Sequence, residues 1–521
     1  MADLDREQQR AELYRGIWNI ANGLRGSVDG WDFKQYVLGM LFYRYISENL
    51  TKYINDGEHA AGDTAFNYAE LSDEDAEGAK EGLVEEKGFF ILPSMLFENV
   101  RKAADKDSTD LNEKLEKVFA YIEGSAVGTE SEDDLSGLFD DMDVNSNKLG
   151  GTVEERNKRL VLLLDGIGDM NLGDYKDSKI DAFGDAYEYL MGMYASNAGK
   201  SGGEFFTPQE VSELLTRIAI GDKKEINKIY DPACGSGSLL LKAGKLIGKE
   251  NVRQGFFGQE INITTYNLCR INMFLHDIGY NKFDIAHGDT LTKPAHWNDE
   301  PFEAIVSNPP YSIHWAGDDD ATLINDPRFS PAGILAPKSK ADFAFIMHSL
   351  SWLATDGTPA IVCFPGIMYR GGAERKIRRY LIDNNFVDCV IQMPGNLFYG
   401  TSIATCIMVL RKSKADNKVL FIDASKEFIK VTNNNKLTED NIMHIYNWWH
   451  DRKSVPYTCQ LVDAAKIAEE DYNFTVSTYV EQEDTREKID IKVLSQEIHD
   501  IVAREQVLRD EIDKIIAEIE G

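Results

Sequence analysis

"IYDPACGSGSLLLKAG", residues 229–244, decides how the rest of the chain is read. An apolar run ends in an acid and a proline, passes two closely spaced glycines, and continues as a leucine-rich stretch. That order predicts a strand, a tight turn and a helix start. Gly235 and Gly237 let backbone approach a ligand with no Cβ in the way. The full dinucleotide fingerprint fails, because Leu240 stands where its third glycine belongs. A P-loop fails too: "NAGKSGG" (197–203) contains GKS but lacks the first glycine at the required spacing.

Around this turn, from about 173 to 415, strands alternate with helices, which predicts a mostly parallel α/β sheet. The strands are "KIYDPA", "GFFGQEI", "FDIAHGD", "EAIVSN", "PAIVCF" and "VDCVIQM"; the helices between them include "GSLLLKAGKLIGK", "ITTYNLCRINMFLHD", "ADFAFIMHSLSWLA" and "AERKIRRYLIDN". Two further apolar segments, "ATCIMVLRK" and "KVLFIDA", come next in close succession and are expected to form an antiparallel edge.

Three strand ends carry candidate chemistry. "FFGQEIN" ends in Glu260, whose carboxylate can accept from two ribose hydroxyls, and "AHGDTL" supplies Asp289, placed to accept from an adenine amino group. Either acid alone is more often a cap or a surface residue. "SNPPYS" (307–312) comes directly after the apolar "FEAIV", and its prolines stop the strand and stiffen the backbone around them. The result is a rigid tip that presents Asn308 and Tyr311. Gly-rich turn, strand-end Glu, strand-end Asp and NPPY in this order are far more specific than any one of them.

At 521 residues the chain is long enough for two or three domains, and 43% apolar with 27% charged residues is an ordinary globular balance. No apolar run reaches 18 residues, and "MADLDREQQRAEL" does not read as a signal peptide. Six scattered cysteines without a CxxC pair predict reduced thiols, no zinc site and a cytoplasmic location. The net charge of −31 argues against unaided nucleic-acid binding, which depends on neutralising phosphates. One basic cluster, "YRGGAERKIRRYL", holds Arg370, Arg375, Lys376, Arg378 and Arg379; a solvated helix face is its commoner meaning. The "SIHWAGDDDATLINDPRFSPAGILAPKSK" insertion (312–340) has the length of a lid or a flexible surface loop.

The two ends differ from the middle. Residues 1–170 look helical: in "WDFKQYVLGMLFYRYISENLTKYI", Phe33, Val37, Leu41, Tyr45, Ile46 and Leu50 fall near helical spacing. The acidic "LSDEDAEGAKEGLVEE" comes next as a solvated helix or loop. At the far end Leu494, Ile498, Ile501, Leu508, Ile512, Ile515 and Ile519 alternate spacings of three and four, interrupted at Glu505. That heptad pattern predicts a helix packing on another helix, of this chain or of a partner.

The ordered set resembles the S-adenosylmethionine-dependent amino-methyltransferases, whose catalytic signature is N/D-P-P-Y/F/W. "GGEFFTP" (202–208), one helix upstream of the Gly-rich turn, narrows the resemblance to the gamma group of adenine N6-methyltransferases. With the helical ends, nearly the whole chain is similar to the modification (M) subunit of type I restriction–modification systems. The resemblance implies a Rossmann-like α/β methyltransferase sheet (171–480), a helical N-terminal domain (1–170) and a C-terminal helix (481–521) able to dock on a partner. It implies a catalytic set of Asn308, Pro309, Pro310 and Tyr311. The implied S-adenosylmethionine set is Glu204, Phe205, Phe206, Thr207, Pro208, Gln209, Asp231, Pro232, Ala233, Gly235, Ser236, Gly237, Ser238, Glu260 and Asp289. Implied partners are a specificity (S) subunit that reads DNA, two M subunits flanking it, and a restriction (R) subunit. Cytosine C5 chemistry is disfavoured by the absence of a Pro-Cys dipeptide. NPPY also occurs in enzymes that methylate protein glutamine or ribosomal RNA guanine, and a non-catalytic assembly subunit is a further alternative.

Overall fold

A computed structural model describes residues 11–20, 30–172, 186, 189–190, 207–398, 401–431, 434–482 and 491–521. Its centre is a nine-stranded sheet. The strands in chain order are β1 (Ile226–Asp231), β2 (Val252–Glu260), β3 (Phe283–His287), β4 (Phe302–Ser307), β5 (Leu353–Cys363), β6 (Val387–Gln392), β7 (Cys406–Leu410), β8 (Lys418–Asp423), β9 (Ile429–Val431), β10 (Asn434–Lys436) and β11 (Cys459–Asp463). They lie in the order β11-β8-β6-β7-β5-β4-β1-β2-β3, while β9 and β10 form a separate hairpin.

β1 runs parallel to both β2 and β4, β2 to β3, and β4 to β5. From β1 the chain therefore winds outward through β2 and β3, then crosses back to β4 and on to β5. The order reverses between β1 and β4, and in open α/β sheets ligands bind beyond the carboxyl ends of the strands at such a switch point. The Gly-rich turn lies just past β1 and the NPPY tip just past β4, so topology alone brings the two motifs together.

Both faces of the sheet are covered, so its strands read as nearly continuous apolar runs. Alternate residues serve opposite cores: Ala304, Val306, Ala360 and Val362 pack on one face, Ile305, Ile361 and Cys363 on the other. The first face carries helices 209–220, 238–247, 263–275 and 439–451; the second carries 342–352, 372–383 and 464–469. All six cysteines are buried and unpaired.

The predicted antiparallel edge needs correction. β7 lies inside the sheet, antiparallel to β5 and β6, while β8 pairs parallel with β6. The antiparallel edge strand is β11, paired with β8. Apolar residues throughout "CIMVL" show that β7 is buried, and burial is what a central position requires; the pattern does not name the neighbours.

Helix Gly30–Ala61 is longer than its apolar stripe suggests; over 36–50 it is buried on most of its circumference, with Val37, Leu38, Met40, Leu41, Phe42 and Tyr43 fully enclosed. The Phe33 side chain lies outside the described residues. The acidic stretch forms two short helices, Asp73–Glu77 and Lys80–Lys87, the first capped by Ser72. This helical region packs on helix 263–275: Phe42 meets Phe274, and buried Arg270 donates to the carbonyls of Asp133 and Ser136.

The chain divides into two compact units, 1–480 and 481–521. In the second, helix Ile491–Glu520 has no buried residue, and its heptad side chains, Leu494 to Ile519, are all exposed. Among the described residues no helix is long and apolar enough to cross a membrane.

Candidate active site

At the switch point lies a cavity of about 300 Å³. Its lining joins the turn after β1 (Pro232, Ala233, Gly235), the end of β2 (Glu260), the turn after β3 (Asp289) and the tip after β4 (Asn308, Pro310). Strand ends far apart in the chain thus share one wall.

The Gly-rich turn is built for close approach. Gly235 and Gly237 both have left-handed backbones, φ +55° and +80°. A Cβ on Gly237 would sit 2.7 Å from Cys269 Sγ, so the space under the turn is already filled. Glu260 staples the turn from outside: one carboxylate oxygen accepts the Gly235 N–H at 3.0 Å, the other the Asn262 N–H at 2.8 Å. Burial raises the Glu260 pKa, partly offset by these donors.

Asp231 is fully buried at the end of β1 and does not line the cavity. Its Oδ1 accepts the Ala233 N–H, and its Oδ2 is enclosed with no hydrogen-bond partner. Burial pushes this carboxyl up to about 7, against the pull of the Ala233 N–H and the neighbouring Ser307. An unsatisfied enclosed carboxylate oxygen is costly unless something completes it. Ser236 and Gly237 are buried in the turn, and Ser238 is the first residue of the next helix.

Asp289 Oδ1 accepts from the Leu291 N–H and its Oδ2 from the Thr292 hydroxyl, which fixes the carboxylate in its own turn while it still faces the cavity. The tip is equally ordered. Asn308 Nδ2 donates to Thr207 Oγ1 at 3.1 Å, and the Tyr311 hydroxyl donates to Asn308 Oδ1 at 2.6 Å. The first bond fixes which way the amide points, and the oxygen keeps a second lone pair. Burial holds the Tyr311 phenol well above its usual pKa, so it remains a donor. Pro309 is buried, and Ser312 ends the tip with φ +51° and its N–H held by Asp342 Oδ2.

Of the upstream segment, Glu204, Phe205 and Phe206 lie outside the described residues. Thr207 and Pro208 are buried, and Gln209 begins helix 209–220. Lining residues without a sequence signal are Gln259, Thr290, Leu291, Ile313, Trp315 and Phe345. The 312–340 insertion is a packed wall with its own buried Trp315, Leu323 and Phe329. The basic cluster is largely spoken for: buried Arg378 donates to the Tyr472 and Ile367 carbonyls, and Arg375 and Arg379 pair with Asp471 and Asp383.

Two carboxylates line the cavity, and among the described residues no lysine or arginine does. A pyrophosphate-bearing cofactor would meet repulsion there, whereas a nucleoside carrying positive charge would be attracted.

Residues 178–488 match the N-6 DNA Methylase family and residues 13–167 the HsdM N-terminal domain. The chain is 50% identical to the type I restriction enzyme MpnII methylase subunit of Mycoplasma pneumoniae, over 99% of this chain and 97% of that one. It is 31% identical to the MjaVII methylase subunit of Methanocaldococcus jannaschii, over 67% and 61% respectively. Among solved structures, the type I restriction-modification methyltransferase subunit of Streptococcus thermophilus superimposes with a TM-score of 0.81 at 34% identity, covering 91% of this chain and 100% of that one.

Proposed function

Since the chain belongs to the methylase subunits of type I restriction enzymes, within the N-6 DNA Methylase family, we propose that the cavity at the β1–β4 switch point holds S-adenosylmethionine and that the NPPY tip presents the target adenine. The activity is methylation of the adenine N6 amino group in DNA. The observation that carries the site assignment is the convergence of Gly235, Glu260, Asp289 and Asn308 on one cavity whose described lining is free of lysine and arginine.

These residues fit the cofactor. Glu260 keeps lone pairs for the ribose hydroxyls and Asp289 faces the space for an adenine amino group, while Asp231, enclosed behind the lining, acts on the turn through the Ala233 N–H it holds. Thr207 and Pro208, with Glu204 to Gln209 as a whole, would close the methionine end. When bound, the cofactor supplies an electrophilic methyl on a sulfonium.

The chain's own part is positioning and electrostatics. The target base leaves its duplex to reach such a pocket. Asn308 Oδ1 and the Pro309 carbonyl accept the two N6 hydrogens, which favours a pyramidal nitrogen with a free lone pair. Pro309 and Pro310 hold these acceptors in place, and the Tyr311 ring stacks on the base. The product amine is acidic enough to lose its proton without a dedicated base.

The domain reading, 1–170, 171–480 and 481–521, belongs to the same proposal, as does a cytoplasmic setting. With a net charge of −31, DNA is delivered by a specificity subunit, flanked by two copies of this chain, and cleavage belongs to a restriction subunit. The exposed heptad helix 491–520 is the docking element. Labelled S-adenosylmethionine with unmodified DNA tests this. N6-methyladenine is expected only when the specificity subunit is added; label in protein or RNA would overturn the reading.

A further inference from the structure

Arg328, in the middle of the 312–340 insertion, is 1% exposed and uses its whole guanidinium inside the fold. Nε and Nη2 donate to the Asp326 carboxylate at 3.0 and 2.7 Å, Nη1 donates to the Thr290 carbonyl and Nη2 to the Leu291 carbonyl, both at 2.8 Å. Nη1 also reaches His348 Nδ1 at 3.1 Å. Arginine only donates, so His348 Nδ1 accepts and its Nε2–H points to the Tyr230 hydroxyl, 3.0 Å away. Thr290 and Leu291 come directly after Asp289, and the Thr290 hydroxyl donates to the Pro232 carbonyl at 2.6 Å.

We infer that Arg328 is a positioning residue for the cofactor cavity: through it the insertion sets the distance between the Asp289 turn and the Gly-rich turn. The inference rests on reading that cavity as the cofactor site. Thr290, Leu291 and Pro232 line the cavity, as do Ile313 and Trp315 of the insertion. Arg328 ties the insertion to the Thr290–Leu291 backbone, and the Thr290 hydroxyl carries that tie to Pro232. Asp326 offsets its charge, so it acts through geometry and not by adding positive potential. The planar fork suits two successive carbonyls in a way an ammonium does not.

The test uses the full chain and S-adenosylhomocysteine as probe, monitored by calorimetry, with initial rates measured in the partner complex. Arg328→Met keeps an unbranched apolar stem but removes every donor, together with the guanidinium that lies over the Trp297 and Phe329 rings. It is expected to weaken probe binding by about 10- to 100-fold, the scale of several buried acceptors left unpaired. The KM for S-adenosylmethionine should rise in parallel, while kcat at saturation stays near wild type. Arg328→Lys retains the charge that offsets Asp326, is expected to fold, and should bind the probe with intermediate affinity. Wild-type affinity in either variant, or a fall in kcat with KM unchanged, overturns the inference. Failure of the wild-type chain to bind the probe would instead overturn the cavity assignment.

Discussion

Replacing Asn308 with alanine is expected to lower methyl transfer by about 10²- to 10³-fold while cofactor affinity is retained, because the change removes one preorganised acceptor at the reacting nitrogen. The geometry explains why the effect is large. Thr207 takes the amide nitrogen and thereby commits the oxygen to the tip, where Tyr311 already holds it. Two prolines leave the neighbouring backbone little freedom to compensate. The discriminating readout is kcat against cofactor binding in the same preparation. Unchanged turnover would remove Asn308 from the reaction, and loss of cofactor binding would recast it as a structural residue.

Glu260→Ala is expected to do the opposite, raising the cofactor dissociation constant by about 10- to 100-fold with a smaller effect on turnover at saturation. Its carboxylate is the acceptor for the part-buried Gly235 N–H and the exposed Asn262 N–H, so the alanine variant frees the Gly-rich turn from its staple. The ribose contacts are lost as well. Burial raises the Glu260 pKa, so wild-type affinity should begin to fall on acidification above the ordinary carboxylate range. The direction is set by the protonated group, which turns one acceptor oxygen into a donor. Glu260→Gln should flatten that acid limb in a titration of cofactor affinity against pH; an acid limb unchanged in the variant would assign it to another group.

Much of this site was legible in the sequence because its parts sit at strand ends, where the pattern changes sharply. Glycines with left-handed backbones, a strand stopped by two prolines and acids just past apolar runs all leave local traces. Partnerships across the fold do not. Thr207 and Asn308 are about a hundred positions apart, and only the turn of helix 209–220 onto the sheet brings them into contact. Arg328 looks, in sequence, like one charge in a polar insertion; its role depends on carbonyls of Thr290 and Leu291, which carry no sequence signature. The same limit explains β7. "CIMVL" announces burial, but it does not say whether the strand joins an edge or inserts between β5 and β6. β11, "CQLVD", with only Cys459 and Val462 buried, is short and mixed enough to escape notice.

The most direct test of the central claim is photochemical attachment of methyl-labelled S-adenosylmethionine to the intact chain, with the labelled peptides then mapped. The account predicts label on peptides containing the 231–238 turn, the end of β2 at Glu260 or the 308–315 tip, with attachment suppressed by excess S-adenosylhomocysteine. Suppressible label confined to peptides remote from the β1–β4 switch point would contradict it.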